Sequence, residues 1–81
     1  MSGIISAYVL LKVRPNKDRI VIEKIRKFPK VKEVTSVYGE YDLIVKVEAE
    51  SLADLDSVVF DALRAIPEVE STTTCVATGK W

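Results

Sequence analysis

Three observations predict an α+β fold with the element order β-α-β-β-α-β. The 81-residue chain is broken only at Pro15-Asn16, Pro29, Gly39 and Pro67, and the pieces between have strand or helix length. Their apolar residues switch between a period of two and a period of 3.6. The stretch Ile25-Arg26-Lys27-Phe28-Pro29-Lys30-Val31 is echoed by Leu63-Arg64-Ala65-Ile66-Pro67-Glu68-Val69, and both copies read as a helix end, a proline and a strand entry. Two right-handed βαβ units interleaved in this way give a four-stranded antiparallel sheet with both helices on one face, the ferredoxin-like architecture.

From Ile4 to Val13 both alternating sets are apolar, as in a central strand covered on both faces. Asn16 is placed to cap a helix reaching Phe28, with Val21, Ile25 and Phe28 on one side and Arg19, Glu23, Lys24 and Arg26 toward water. Val31 to Tyr38 is rich in β-branched residues and alternates, which predicts a strand; Gly39-Glu40 then turns tightly into a second strand, Tyr41 to Ala49. Ser51-Leu52-Ala53-Asp54 has the pattern of a capping box with Asp in place of Glu. It opens a helix with Leu52, Leu55, Val59, Ala62 and Ile66 in one stripe, ending near Pro67. Val69 to Ala77 is a threonine-rich strand and residues 78–81 a short tail, in which Trp81 either packs on a neighbour or frays. The whole span 1–81 is expected to form one domain.

This arrangement leaves the sheet face away from the helices to be accounted for. In the strand from Tyr41, the set Tyr41, Leu43, Val45, Val47 and Ala49 reads as helix-facing core, and the opposite set is Asp42, Ile44, Lys46 and Glu48. The first strand adds Ile4, Tyr8 and Leu10 to that open face. It is too apolar in the middle for water and too polar at its rim for a core. Ile4, Tyr8, Leu10 and Ile44 are therefore expected to form a dimer interface with the sheet of a second subunit. Size argues the same way, because a chain this short buries only roughly 60% of its unfolded surface and 48% of its residues are apolar.

Composition excludes much chemistry. There is no histidine and one cysteine, Cys75, so within one chain neither a Cys/His zinc site nor a His-based acid/base or nucleophile pair can be built, and no intrachain disulfide forms. No cofactor or metal site is expected. Cys75 shares strand parity with Val69 and Ala77 and reads as a small buried hydrophobe. Asp54, Asp56 and Asp61 read as solvated helix surface, with no apolar pocket to raise a pKa. Twelve basic residues balance twelve acidic ones, so no global field draws nucleic acid or anionic lipid. Residues 1–40 nonetheless carry a net +5 and the remainder −5, a dipolar layout that suits subunit docking or simply two solvated helix faces. The apolar start lacks a basic leader and a small-residue cleavage site and is far shorter than a membrane span, so it reads as a strand. With one cysteine and no intrachain disulfide, cytoplasmic residence is expected.

The residues argue against three functions known on this fold. RNA recognition needs stacking aromatics on the central strands, and the strand from Tyr41 offers none beyond its first residue. A metal chaperone needs paired cysteines where Arg14-Pro15-Asn16-Lys17 stands. An acylphosphatase-like loop needs glycines that are missing beside Arg14.

The most informative segment is Val37-Tyr38-Gly39-Glu40-Tyr41-Asp42-Leu43-Ile44-Val45. Gly-x-x-Asp at the hairpin, an apolar strand after it, Ser51-Leu52 opening a helix, and a proline leading into a Thr-rich last strand together resemble the effector-binding module of the Lrp/AsnC family of amino-acid-responsive transcription regulators. The resemblance covers essentially the whole chain. The helix-turn-helix domain of that family is not found ahead of the first strand, so the likeness is to the stand-alone module, the regulation of amino acid metabolism (RAM) domain.

The resemblance implies a non-enzymatic protein. It implies dimers packed sheet to sheet, rings of dimers, and an amino acid effector bound between dimers. Backbone groups around Gly39, Glu40 and Tyr41 would meet the ligand carboxylate and Asp42 its ammonium, with Thr72 and Thr74 adding hydroxyl contacts. Full-length Lrp/AsnC regulators are the implied partners, with no direct nucleic acid contact and no membrane. Two other readings stand beside this one. Gly39 serves a hairpin that needs positive φ and Asp42 is only a polar group at a strand edge; or the chain is a purely structural module that co-assembles with such regulators without a working ligand site.

Overall fold

The computed structural model describes residues 3–79 and 81. The expectations for Met1, Ser2 and Lys80 lie outside the described residues. Strands β1 (Ile5–Val13), β2 (Val31–Ser36), β3 (Leu43–Ala49) and β4 (Val69–Val76) form one sheet in the order β2-β3-β1-β4, with every neighbouring pair antiparallel. Helix α1 (Asp18–Ile25) joins β1 to β2. Helix α2 (Leu52–Ser57), continued by a π-helical segment (Val58–Leu63), joins β3 to β4. The ferredoxin-like fold predicted from the pattern is the one observed.

The core lies between helices and sheet. Ala7, Val9, Leu11 and Val13 of β1 and Leu43, Val45, Val47 and Ala49 of β3 pack against Val21, Ile25, Leu55, Val58, Val59, Leu63 and Ile66, and among the described residues no polar one is buried there. Direct cross-strand pairing of Val9 with Val45 and Leu11 with Leu43 locks this set on one face, since a slip of one residue would turn it all outward.

Local chemistry moved several boundaries. Arg14-Pro15-Asn16-Lys17 is a turn closed by Lys17 N–H donating to Arg14 O at 3.1 Å. Pro15 supplies its first central position and Asn16, at φ 64, its second, the demand of a type II turn. Asn16 is thereby used in the turn, and the helix cap falls to Lys17, which makes no side-chain cap. Helix α1 also stops at Ile25, short of Phe28; Phe28 N–H reaches back only three residues, to Ile25 O at 3.1 Å, and Pro29 follows.

The second helix starts as its sequence predicts. Ser51 Oγ accepts from Asp54 N–H at 3.0 Å, and the Asp54 carboxylate accepts in return from Glu50 N–H at 3.1 Å. After Ser57 the bonding widens, and Arg64 N–H donates to Val59 O, five residues back, at 2.8 Å. The wider turn brings Val58 and Leu63 into the core, while the predicted stripe members Leu52 and Ala62 sit outside it, Leu52 largely exposed.

On β4 a bulge interrupts pairing: Lys12 faces Ser71 but Val13 faces Val69, so Glu70 is the extra residue. The strand's parity flips there. Cys75, expected to be buried with Val69, stands opposite Tyr8 on the open face and is exposed. Among the described residues no helix is long and apolar enough to cross a membrane.

Candidate ligand-binding loop and the open sheet face

The connection between β2 and β3 is longer than a two-residue turn. β2 ends at Ser36 and β3 begins at Leu43, so residues 37–42 form a loop. Val37 N–H donates to Asp42 O at 3.0 Å and closes it. Gly39 adopts φ 134, which side-chain-bearing residues rarely enter, so the positive φ expected of this glycine is observed. Tyr38 at the tip is fully exposed.

Asp42 is the anchor of this loop. Its N–H donates to Leu11 O at 2.8 Å, its C=O accepts from Val37, and its carboxylate Oδ2 accepts from Val13 N–H at 2.9 Å. One residue thus closes the loop on itself through Val37 and fastens it, twice, to the end of β1. Val13 is buried at 6% exposure, and leaving its N–H unpaired would cost about 1–3 kcal/mol. Among the described residues the N–H groups of Gly39, Glu40 and Tyr41 have no hydrogen-bond partner. A loop held at its ends with three consecutive N–H groups free is suited to receive an anion.

Tyr41 was expected in the helix-facing core. Because β3 starts only at Leu43, Tyr41 escapes the strand's alternation; its hydroxyl lies 3.3 Å from Thr73 Oγ1, over the open face. Thr73 stands opposite Leu10, whereas Thr72 and Thr74 stand opposite Leu11 and Val9 and so lie on the helix side of β4. The loop residues Gly39, Glu40, Tyr41 and Asp42 are brought together; Thr72 and Thr74 are not brought to the Tyr41 hydroxyl, and Thr73 is. In a run of three threonines only the position of the bulge decides which one faces the loop, and no residue pattern marks that. Val13 and Leu11, which hold Asp42, were equally invisible as partners.

The four residues assigned to the open face share it. Leu10 pairs directly with Ile44, Tyr8 faces Lys46 on one side and Cys75 on the other, and Ile4 extends the line beyond the strand. Ile4 is 51% and Tyr8 39% exposed, with Leu10 and Ile44 half-buried among Thr35, Thr73 and Lys46.

The ion pairs lie elsewhere. Lys30 Nζ meets Asp54 Oδ2 at 2.9 Å and Lys24 Nζ meets Glu68 Oε1 at 3.0 Å, tying the basic first half to the acidic second. The backbone N–H of Glu50, then Lys30, hold the Asp54 carboxyl below its ordinary range. Lys24 does the same for Glu68, and Asp54 raises the Lys30 ammonium. Lys30, the partner of the capping carboxylate, links the cap of α2 to the residue just before β2, a role its sequence gives no sign of.

The model of the Lrp/AsnC ligand binding domain matches residues 6–80. The chain belongs to this family. An uncharacterized HTH-type transcriptional regulator of Pyrococcus abyssi is 37% identical over 75 residues, 89% of this chain and 50% of the relative. The chain spans about half the length of the curated relatives it matches. The crystal structure of FFRP-DM1 superposes with a TM-score of 0.88 at 44% identity, covering 91% of this chain and 99% of that one. The Neisseria meningitidis regulator NMB0573, solved as a complex with L-Met, superposes with a TM-score of 0.85 at 20% identity over 94% of this chain and 51% of its own, a likeness of fold alone. The resemblance drawn from the Gly39–Asp42 hairpin and the flanking elements therefore named the right family, and the relatives are transcription regulators and not enzymes.

Proposed function

We propose that this Lrp/AsnC ligand-binding domain is a non-enzymatic, cytoplasmic amino-acid-sensing and oligomerisation module for transcriptional regulation. The observation that carries the reading is the loop 37–42, pinned at both ends by Asp42, with the N–H groups of Gly39, Glu40 and Tyr41 left open. Those donors suit the carboxylate of an amino acid, and the acidic side chains of the same loop suit its ammonium. That the fold neighbour NMB0573 was solved with L-Met supports this ligand class.

Subunit pairing is proposed through Ile4, Tyr8, Leu10 and Ile44, with the loop at the rim of the paired sheets and full-length regulators of the family as partners. An apolar centre with a polar rim has the anatomy of an interface.

A thermal-shift screen of the twenty amino acids tests the sensing reading. At least one should raise Tm by an amount that grows with its concentration, as a ligand bound only to the folded state must. Absence of any shift at millimolar concentration, repeated by calorimetry, would defeat it.

A further inference from the structure

Among the described residues, Asp42 is the only one of the loop whose side chain bonds to the chain's own backbone. β3 leaves β1 at Leu43, its partner being Leu11, and beyond that point the next core residue of β1, Val13, has no β3 backbone opposite it. On the other side β4 carries its bulge at this same place, between the partners of Lys12 and Val13, and Arg14 N–H goes to Glu68 O at 2.9 Å. The end of β1 is thus a weak point of the sheet on both flanks. The Asp42 carboxylate fills the gap on the β3 side, standing in for the missing carbonyl at 2.9 Å from Val13 N. With Asp42 N–H on Leu11 O, the side chain and main chain of one residue grip β1 two residues apart.

We infer that Asp42 is a positioning residue: its carboxylate serves as the acceptor for Val13 N–H, fixing the loop that presents Gly39, Glu40 and Tyr41, and its negative charge is not what the ligand reads. This rests on the amino-acid reading above and narrows it, leaving the ammonium to the exposed carboxylate of Glu40, the loop's other acid. An acceptor role is met by an amide oxygen as well as by a carboxylate, whereas an ammonium partner requires the charge. The two roles therefore part at one substitution. Asp42→Asn keeps the acceptor and removes the charge, and Asp42→Ala removes both.

The experiment has a ligand-free arm and a ligand arm on the whole chain. In the first, amide hydrogen exchange at Val13 is followed by NMR. Wild type and Asp42→Asn should exchange at similar rates, and Asp42→Ala at least tenfold faster. In the second, calorimetry with L-methionine and with whichever amino acid gives the largest thermal shift should show Asp42→Asn within about threefold of wild type, with Asp42→Ala weakened tenfold or more. Glu40→Gln, which leaves the clasp intact, should lose affinity tenfold or more while Val13 stays protected.

Loss of binding in Asp42→Asn equal to that in Asp42→Ala, with Val13 still protected, would overturn the inference in favour of direct contact with the ligand. Unchanged Val13 exchange in Asp42→Ala would overturn it as well. If wild type binds no amino acid, the sensing reading fails by itself, and the exchange arm alone decides whether Asp42 holds the loop.

Discussion

The two faces of the sheet are built from the same strands and meet opposite fates. On the helix side, Ala7, Val9, Leu11, Leu43, Val45 and Val47 are wholly buried, and among the described residues nothing polar is buried with them. On the other side, the alternate residues of the same strands, Tyr8, Leu10, Ile44 and Lys46, stay partly open among threonines. A helix is apolar on one stripe and can cover only one side of a sheet. The helix side is therefore finished by the chain itself, while the other keeps large apolar residues beside charged ones. Stability and association are thus separable by strand parity: two neighbours on β1, Leu10 and Leu11, differ in sequence position by one and in task altogether.

The sharpest way to break this comparison is on the finished face. Leu11→Ala empties a fully buried position between β3, β4 and the helices, and should cost about 2–5 kcal/mol of unfolding free energy, read by urea denaturation. A loss below 1 kcal/mol would mean that the core collapses around the gap. Ile44→Asp is the counterpart on the open face. It should change unfolding of the dissociated chain by less than about 1 kcal/mol, as is usual for a surface change away from special features. It should also abolish the proposed pairing in sedimentation, because a desolvated unpaired carboxylate is strongly disfavoured at an interface. A species equally associated in wild type and variant would remove the open face as the contact.

How far the sequence could be read also follows the two faces. The helix-facing set was legible because a period of two and a period of 3.6 both pointed Val9, Leu11, Val45, Val21, Ile25 and Leu55 to one centre. The open-face set Ile4, Tyr8, Leu10 and Ile44 was legible by the same parity. Gly39 was legible because a positive φ leaves few alternatives. What escaped were events that shift register without leaving a mark in composition. The bulge at Glu70 flips Cys75 outward and selects Thr73 over Thr72 and Thr74. The π-helical turn trades Ala62 for Leu63, two apolar residues side by side. At the loop, Asp42 was legible as a special residue, but its hold on Val13, twenty-nine positions away, depends on where β3 ends, and that is a tertiary fact.

A smaller effect sharpens the comparison at the edge of the finished face. Ser51→Ala removes the acceptor for Asp54 N–H and should lower stability by about 1 kcal/mol, with the dissociated and associated chains affected alike. Ser51→Asp should restore most of it.

The smallest expected effect is electrostatic. The Asp54 carboxyl is held low by the Glu50 N–H and then by Lys30, and the Glu68 carboxyl by Lys24. A carboxyl whose pKa is lower folded than unfolded binds fewer protons in the folded state, so its stabilisation is complete above the unfolded value, about 4. It then fades as pH falls through the lower folded value. Stability should accordingly decline below about pH 4 with a slope that Lys30→Met and Lys24→Met each reduce, measured by thermal unfolding between pH 2 and 7. At neutral pH these two variants should differ little from wild type, since both pairs are solvent-exposed and such pairs contribute little. Because Lys30 and Lys24 form ion pairs between the basic first half and the acidic second, an unchanged acid slope in both variants would show that the halves are joined by the sheet ladders and the apolar core without help from these charges, and that the charge asymmetry of the sequence is left for surfaces the chain does not itself cover.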